Sequence, residues 1–204
     1  MPARIVAGVV AALWSLFLLP PQMVAFSGSS GTPRWLRLLN NLDVYDALRD
    51  ALDRLGWHDH YAVFGTAIAP AMALTWFALY PALWRLGWAG RAMSVSWGVL
   101  PPLTVLSYLN HPSEAPLRIL WGSDAFVLVA IGLLGVVAAF TAPRDRGVPA
   151  WVRVLAGLTA VVGVGATLLG GYWPHATMVG LGIQAAVIAV WRPARTATPV
   201  SPSA

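Results

Sequence analysis

The sequence predicts an all-α integral membrane protein: a polytopic bundle of about six transmembrane helices with one extracytoplasmic amphipathic helix. Three observations predict it. The chain is 58% hydrophobic and 10% charged, whereas soluble domains carry about 25% charged residues. Its apolar residues gather into runs near the ~20-residue length that crosses a bilayer as helix. Its charges are segregated between alternate loops, as expected when those loops face different compartments.

The first apolar run, 5–26, follows Arg4 and contains Pro20 and Pro21. A basic residue before an apolar stretch also fits a signal peptide, but no convincing small-x-small cleavage site follows before Ser27. We expect a retained helix. The second run, 61–84, contains Pro70 and Pro81, and the third, 92–109, contains Pro101 and Pro102. Proline is tolerated in membrane helices when neighbouring groups satisfy the carbonyls it frees, so kinks are expected and not helix ends. Runs 125–142, 151–171 and 176–191 complete the six. Residues 1–195 form a single transmembrane domain in this reading. The Pro/Ser/Thr/Ala-rich tail, 196–204, is expected to be disordered and cytoplasmic.

Charge counting orients the bundle. Arg4, Arg85, Arg91, Arg144, Arg146, Arg153, Arg192 and Arg195 fall on one side against Asp145 alone, a net +7. Arg34, Arg37, Arg49, Arg54 and Arg118 fall on the other with Asp43, Asp46, Asp50, Asp53, Asp59, Glu114 and Asp124, a net −2. The positive side is expected in the cytoplasm, with both termini. Trp57, Trp121 and Trp173 then lie at outer ends and Trp84, Trp88, Trp151 and Trp191 at inner ends, as interfacial belts require. Trp14, Trp76 and Trp97 fall within spans. All 13 basic residues are arginine, and with abundant alanine this suggests a GC-rich bacterial source and a bacterial cell membrane. The arginines are dispersed over loops, which excludes a nucleic-acid-binding stripe. Without cysteine, thiolate metal sites, disulfides and thiol nucleophiles are excluded.

Between the first two runs, Leu38, Leu42, Tyr45, Leu48, Leu52 and Leu55 recur at helical spacing. An amphipathic helix is expected over 35–56, with Asn41 as a cap, Asp43, Asp46, Asp50 and Asp53 on its solvated face, and Gly56 at its end. Arg49 and Arg54 are placed to pair with Asp46 and Asp50.

The candidate metal ligands are His58, His60, His111 and His175, all expected at outer helix ends. Imidazoles beside Asp59, Asp124 and Glu114 are the donor set a transition metal or haem iron takes, and His175 with Met178 would suit copper(I). Against this, histidine is at home at interfaces, Asp59 and Asp124 are placed to cap helices, and Arg118 is placed to pair with Glu114 or to bind an anionic headgroup. Apart from Arg153 near an inner end, the spans carry no Asp, Glu, Lys, Arg or His, contrary to the usual pattern of proton relays and ion-coupled carriers. Gln184 sits near the centre of the last span and is expected to bond a neighbouring helix or a ligand. Helix 151–171 carries Gly157, Gly163, Gly165, Gly170 and Gly171 for close packing. There is no HExxH, GxSxG or phosphate loop.

The expected function is therefore a non-catalytic binding or accessory membrane protein with an extracytoplasmic-face pocket, without a cofactor. Its partners would be the lipid bilayer and a membrane-protein partner or second copy. The alternatives are a small-molecule or lipid transporter lined by the proline-kinked helices, and an outer-face metal- or haem-dependent enzyme at the four histidines.

Overall fold

The computed structural model describes residues 2–143, 147–169 and 174–191, with the side chains of 29, 160 and 163–169 excepted. Arg144, Asp145, Arg146, Gly170, Gly171, Trp173, Arg192, Arg195 and the tail 196–204 lie outside the described residues. Among the described residues every regular element is helical. In chain order these are α1 (Pro2–Gly31), α2 (Arg34–Asn40), α3 (Asp43–Arg54), α4 (His60–Thr66), α5 (Ala69–Leu83), α6 (Gly87–Leu109), a 3-10 turn (Arg118–Leu120), α7 (Ser123–Thr141), α8 (Ala150–Leu169) and α9 (Pro174–Ala189).

Four stretches are long and apolar enough to cross a membrane: Pro2–Gly28, His60–Leu83, Gly87–Leu109 and Arg118–Thr141. Two shorter apolar helical stretches, Ala150–Thr159 and Pro174–Ala189, accompany them. α9 packs against α1, α5 and α8, and α7 packs between α6 and α8. Trp97, Met72, Met93, Leu100, Leu128, Ile131 and Met178 fill the centre and are fully buried. Outward-facing Phe126, Phe140 and Val161 remain 78%, 86% and 68% exposed. A surface this apolar belongs against lipid, because water would penalise it heavily.

Small residues set the closest helix approaches. A Cβ on Gly8 would sit 2.6 Å from the backbone nitrogen of Ala186, and one on Gly182 would sit 2.7 Å from that of Ala12. The partner number falls as the α1 number rises, so α1 and α9 run antiparallel with backbones nearly touching. Gly135 plays the same part toward α8, where its Cβ would meet the Ala156 carbonyl.

The structure refines the expected helices in three places. The amphipathic segment is two helices, broken at Asn41 and Leu42. Leu42 and not Asn41 occupies the N-cap of α3, and no side chain caps there. Arg49 holds the break together: it donates to Asn40 Oδ1 at 3.0 Å and pairs with Asp46. The expected end at Gly56 is present, with φ +80° and Schellman bonds from Gly56 N to Asp53 O and from Trp57 N to Leu52 O.

Second, 61–84 forms one apolar span, His60–Leu83, and the kink expected at its proline is a two-residue interruption at Ala67 and Ile68, both still αR. α4 stops at Thr66 and α5 starts at Ala69, because Pro70 in the first turn of α5 has no N–H for the Thr66 carbonyl and clashes with continued helix. Third, Asp124 does not cap α7, whose N-cap is Gly122 in the left-handed region.

Prolines and the break free backbone carbonyls, and side chains from other helices take them up. Pro21 cannot donate to Phe17 O, which instead accepts the Tyr45 hydroxyl of α3 at 2.8 Å. At the α4/α5 break, Ile68 N turns to Gly65 O. Phe64 O is then taken by His175 Nε2 of α9 at 3.0 Å, and Ala67 O by Trp14 Nε1 of α1 at 2.6 Å. An unpaired carbonyl in hydrocarbon costs several kcal/mol, roughly, so these three bonds fix where α3, α9 and α1 sit on the broken helix.

Candidate functional site

The break opens a groove. Gly56, Trp57, His58 and Asp59 form its mouth, α4 and the restart of α5 form one wall through Ala62, Val63, Thr66, Ala67, Ala69 and Pro70, and Val105 and Leu109 of α6 form the other. Its volume is about 800 Å³, within the ~300–1,000 Å³ of small-molecule sites. Nearly every wall residue is apolar, and the polar groups lie at one end. Small residues at Ala62, Ala67 and Ala69 leave the space, and Pro70 keeps α4 from continuing straight through it.

The mouth is tied by two carboxylates. Asp53, on the last turn of α3, accepts from His58 Nδ1 and His60 Nε2, each at 3.1 Å. Asp59 caps α4 by accepting Ala62 N at 3.1 Å and takes His111 Nε2 at 2.6 Å. Partial burial alone would raise the Asp59 pKa, but the His111 and Ala62 bonds outweigh it and hold the carboxyl below its ordinary range. These bonds fasten the segment before α4 to both α3 and the end of α6, and so set the width of the mouth.

Behind the mouth lies an aromatic layer. Tyr61 packs on His111, Tyr108 and Phe26 with ring centroids 4.6, 5.3 and 5.8 Å apart. Trp121 donates to the Tyr61 hydroxyl at 3.2 Å, and the Arg118 guanidinium lies 4.1 Å from the centre of the Trp121 ring. Tyr108 lies against Gly65 so closely that a Cβ there would be 2.0 Å from the ring.

The predicted site residues distribute as follows. His58 and His60 meet at Asp53, His111 serves Asp59, and His175 serves the Phe64 carbonyl, so the four imidazoles answer to three different acceptors. Among the described residues no group of three or more His, Asp or Glu side chains comes together as a metal site. His175 is not interfacial: it is 0% exposed at the junction of α1, α4 and α9. Met178, one turn on, is buried in the central core.

Asp124 is also buried, accepting the Ser107 hydroxyl at 2.8 Å, and Ser107 in turn accepts Gly122 N. Glu114 accepts the Ser113 hydroxyl, the main cause that holds its pKa down, with a smaller contribution from the charge of Arg118, whose guanidinium lies over Trp121 and makes no close ion pair with the carboxylate. Gln184 donates to Thr159 Oγ1 at 2.9 Å and to the Leu155 carbonyl, joining α9 to α8.

No known family matches this chain, and neither does a curated protein or a solved structure. Its functional reading therefore rests on this geometry alone.

Sequence reasoning missed the groove, Trp14 and Tyr45. The one local signal was Pro70 itself, with Ala67 and Ala69 just before it. A proline flanked by residues too small to fill the space it opens marks a gap as well as a bend.

Proposed function

We propose that this chain is a non-catalytic membrane binding protein that holds a single-chain amphiphile in the groove between α4–α5 and α6. The carrying observation is the groove's polarity: a long apolar trough with Trp57, His58 and Asp59 at one end. An apolar tail would lie along Val63, Thr66, Ala67, Val105 and Leu109. A head group rich in hydrogen-bond donors and acceptors would meet His58 and Asp59. Leu106 and Leu109 beside the groove are exposed and apolar, which supports access from lipid, the natural source of such a molecule.

In this reading the chain is multi-pass, with six crossings, in a bacterial cell membrane. Both termini are cytoplasmic, and the groove's mouth and the amphipathic helices α2 and α3 are extracytoplasmic. The arginine asymmetry supports the orientation, and the packing of α8 and α9 as fifth and sixth members of the bundle supports the count. The exposed apolar side chains also support contact with a membrane-protein partner or second copy.

One observation favours a transporter instead. A discontinuous helix lining a cavity is how many carriers build their substrate sites. The bonding of Gln184 to α8 and the filled centre around Trp97 and Met178 favour binding without passage.

The test is to purify the wild type and a groove-filling variant, Val63→Trp/Val105→Trp, in mild detergent and identify bound amphiphiles by mass spectrometry after delipidation washes. The wild type should retain close to one equivalent and the variant at least about fivefold less. Equal retention would reject the groove as the site. Flux of the bound species across proteoliposomes would replace binding with transport.

A further inference from the structure

A second cavity, about 440 Å³ and separate from the groove, lies between the end of α1 and the short helix α2. Val24, Arg34, Arg37, Leu38, Asn40 and Asn41 line it. Arg34 and Arg37 are one turn apart and therefore share a face. Both are exposed, and neither takes part in an ion pair among the described residues.

α2 carries no acidic residue. The nearby acids are on α3, beyond the break at Leu42, and Asp46 is already paired with Arg49, whose other bonds hold Asn40. Around the arginines Trp35, Leu38, Leu39 and Leu42 are 56%, 61%, 41% and 50% exposed, whereas Leu36 and Asn40 form the buried edge. So α2 presents two guanidinium groups unpaired among the described residues, with exposed apolar side chains beside them.

We propose that this cavity is a binding site for the phosphate headgroup of an anionic phospholipid, separate from the amphiphile groove. Guanidinium groups bind phosphate oxygens through paired, charge-assisted hydrogen bonds. Here two arginines face an open cavity with amide groups at its rim, which gives the charge complementarity. The exposed leucines and Trp35 beside the arginines offer acyl chains an apolar surface, which selects a lipid over a free anion. In such a site the lipid pins α2 in the membrane surface, and through Asn40 and Arg49 it holds α3 over the bundle.

The experiment uses the full chain in mild detergent, titrated with dihexanoyl phosphatidylglycerol and, separately, dihexanoyl phosphatidylcholine, with binding read by native mass spectrometry. The wild type should prefer the anionic lipid by roughly 30-fold, the combined effect expected of two basic residues. Arg34→Gln/Arg37→Gln should abolish the preference, and Arg34→Lys/Arg37→Lys should keep much of it because the charge remains. Equal affinity of the wild type for the two lipids would overturn the proposal, as would an unchanged preference in the glutamine variant. Inorganic phosphate that displaces the lipid at equal concentration would make this a free-anion site and would overturn the lipid assignment. If the glutamine variant does not fold, the wild-type preference and the lysine variant decide the matter.

Discussion

The bond between Tyr45 and Phe17 makes a prediction that follows step by step from proline chemistry. Pro21 has no N–H, so Phe17 O loses its helical donor, and the Tyr45 hydroxyl replaces it from another helix at 2.8 Å. Tyr45 is 6% exposed, and burial pushes its phenol above the usual range, so it stays protonated and donating at any ordinary pH. Tyr45→Phe deletes one oxygen and leaves the ring packed at a tilt against Phe17, whose centroid is 5.4 Å away.

Hydrogen bonds between membrane helices are worth about 0.6 kcal/mol on average and up to about 1.7. For a chain of this size that shifts the unfolding midpoint by roughly 1–7 °C. The stronger test is a double-mutant cycle. Pro21→Ala restores an N–H that can reach Phe17 O, so Tyr45→Phe should cost much less in that background, with a coupling of about 1 kcal/mol. Thermal unfolding in one detergent at fixed pH measures all four proteins, and hydrogen exchange across α3 reports whether it loosens. An equal cost of Tyr45→Phe in both backgrounds would refute the claim that the hydroxyl replaces the donor proline removes.

Three further outcomes are expected. His175→Ala removes a fully buried ring and the donor to Phe64 O, and should cost about 2–4 kcal/mol in denaturant titrations in mixed micelles; a loss under ~0.5 would contradict its place at the helix junction. Gly182→Ala places a Cβ within 2.7–2.9 Å of α1 backbone atoms, and should destabilise by about 1–3 kcal/mol in the same titrations, whereas Gly147→Ser, where the added Cβ meets no atom within 4 Å, should cost only its left-handed backbone strain. The folded-state pKa of Asp59 is depressed, so its stabilising contribution is present above the ordinary carboxylate pKa and is lost as pH falls through the lower, folded value. Because Asp59 is half exposed, solvent screening limits that contribution to ~1 kcal/mol or less. Asp59→Asn should flatten the stability profile between about pH 5 and pH 3 by that amount, and an unchanged profile would count against the pair with His111.

Hydropathy alone made the helical membrane fold legible, since long apolar runs have few other stable forms. Local chemistry made Asp59 readable as a cap and Gly56 as a stop, because both depend on residues within a turn of themselves. The bend at Pro70 was readable from the same run, but not the interruption at Ala67 and Ile68 that it takes. Hydropathy is equally high on both sides of it, and whether a proline bends or ends a helix depends on who satisfies the freed carbonyls. Here Trp14 and His175 do so from helices distant in sequence. His175 looked interfacial because it stands at the end of an apolar run, yet α1 and α4 close over it. Asp124 looked like a cap from its position, but Gly122 starts α7 and Ser107 supplies the carboxylate's hydrogen bond.

The central claim, that the groove opened by the helix break holds an amphiphile, is tested most directly by photo-crosslinking. A single-chain lipid carrying a diazirine near its tail is equilibrated with the full chain in nanodiscs, irradiated, and its adducts are mapped by peptide mass spectrometry. The account predicts adducts concentrated on Ala62, Val63, Thr66, Val105 and Leu109 and displaced by excess unlabelled lipid. Adducts spread evenly over bilayer-facing residues such as Phe126, Phe140 and Val161, with no saturation, would contradict it.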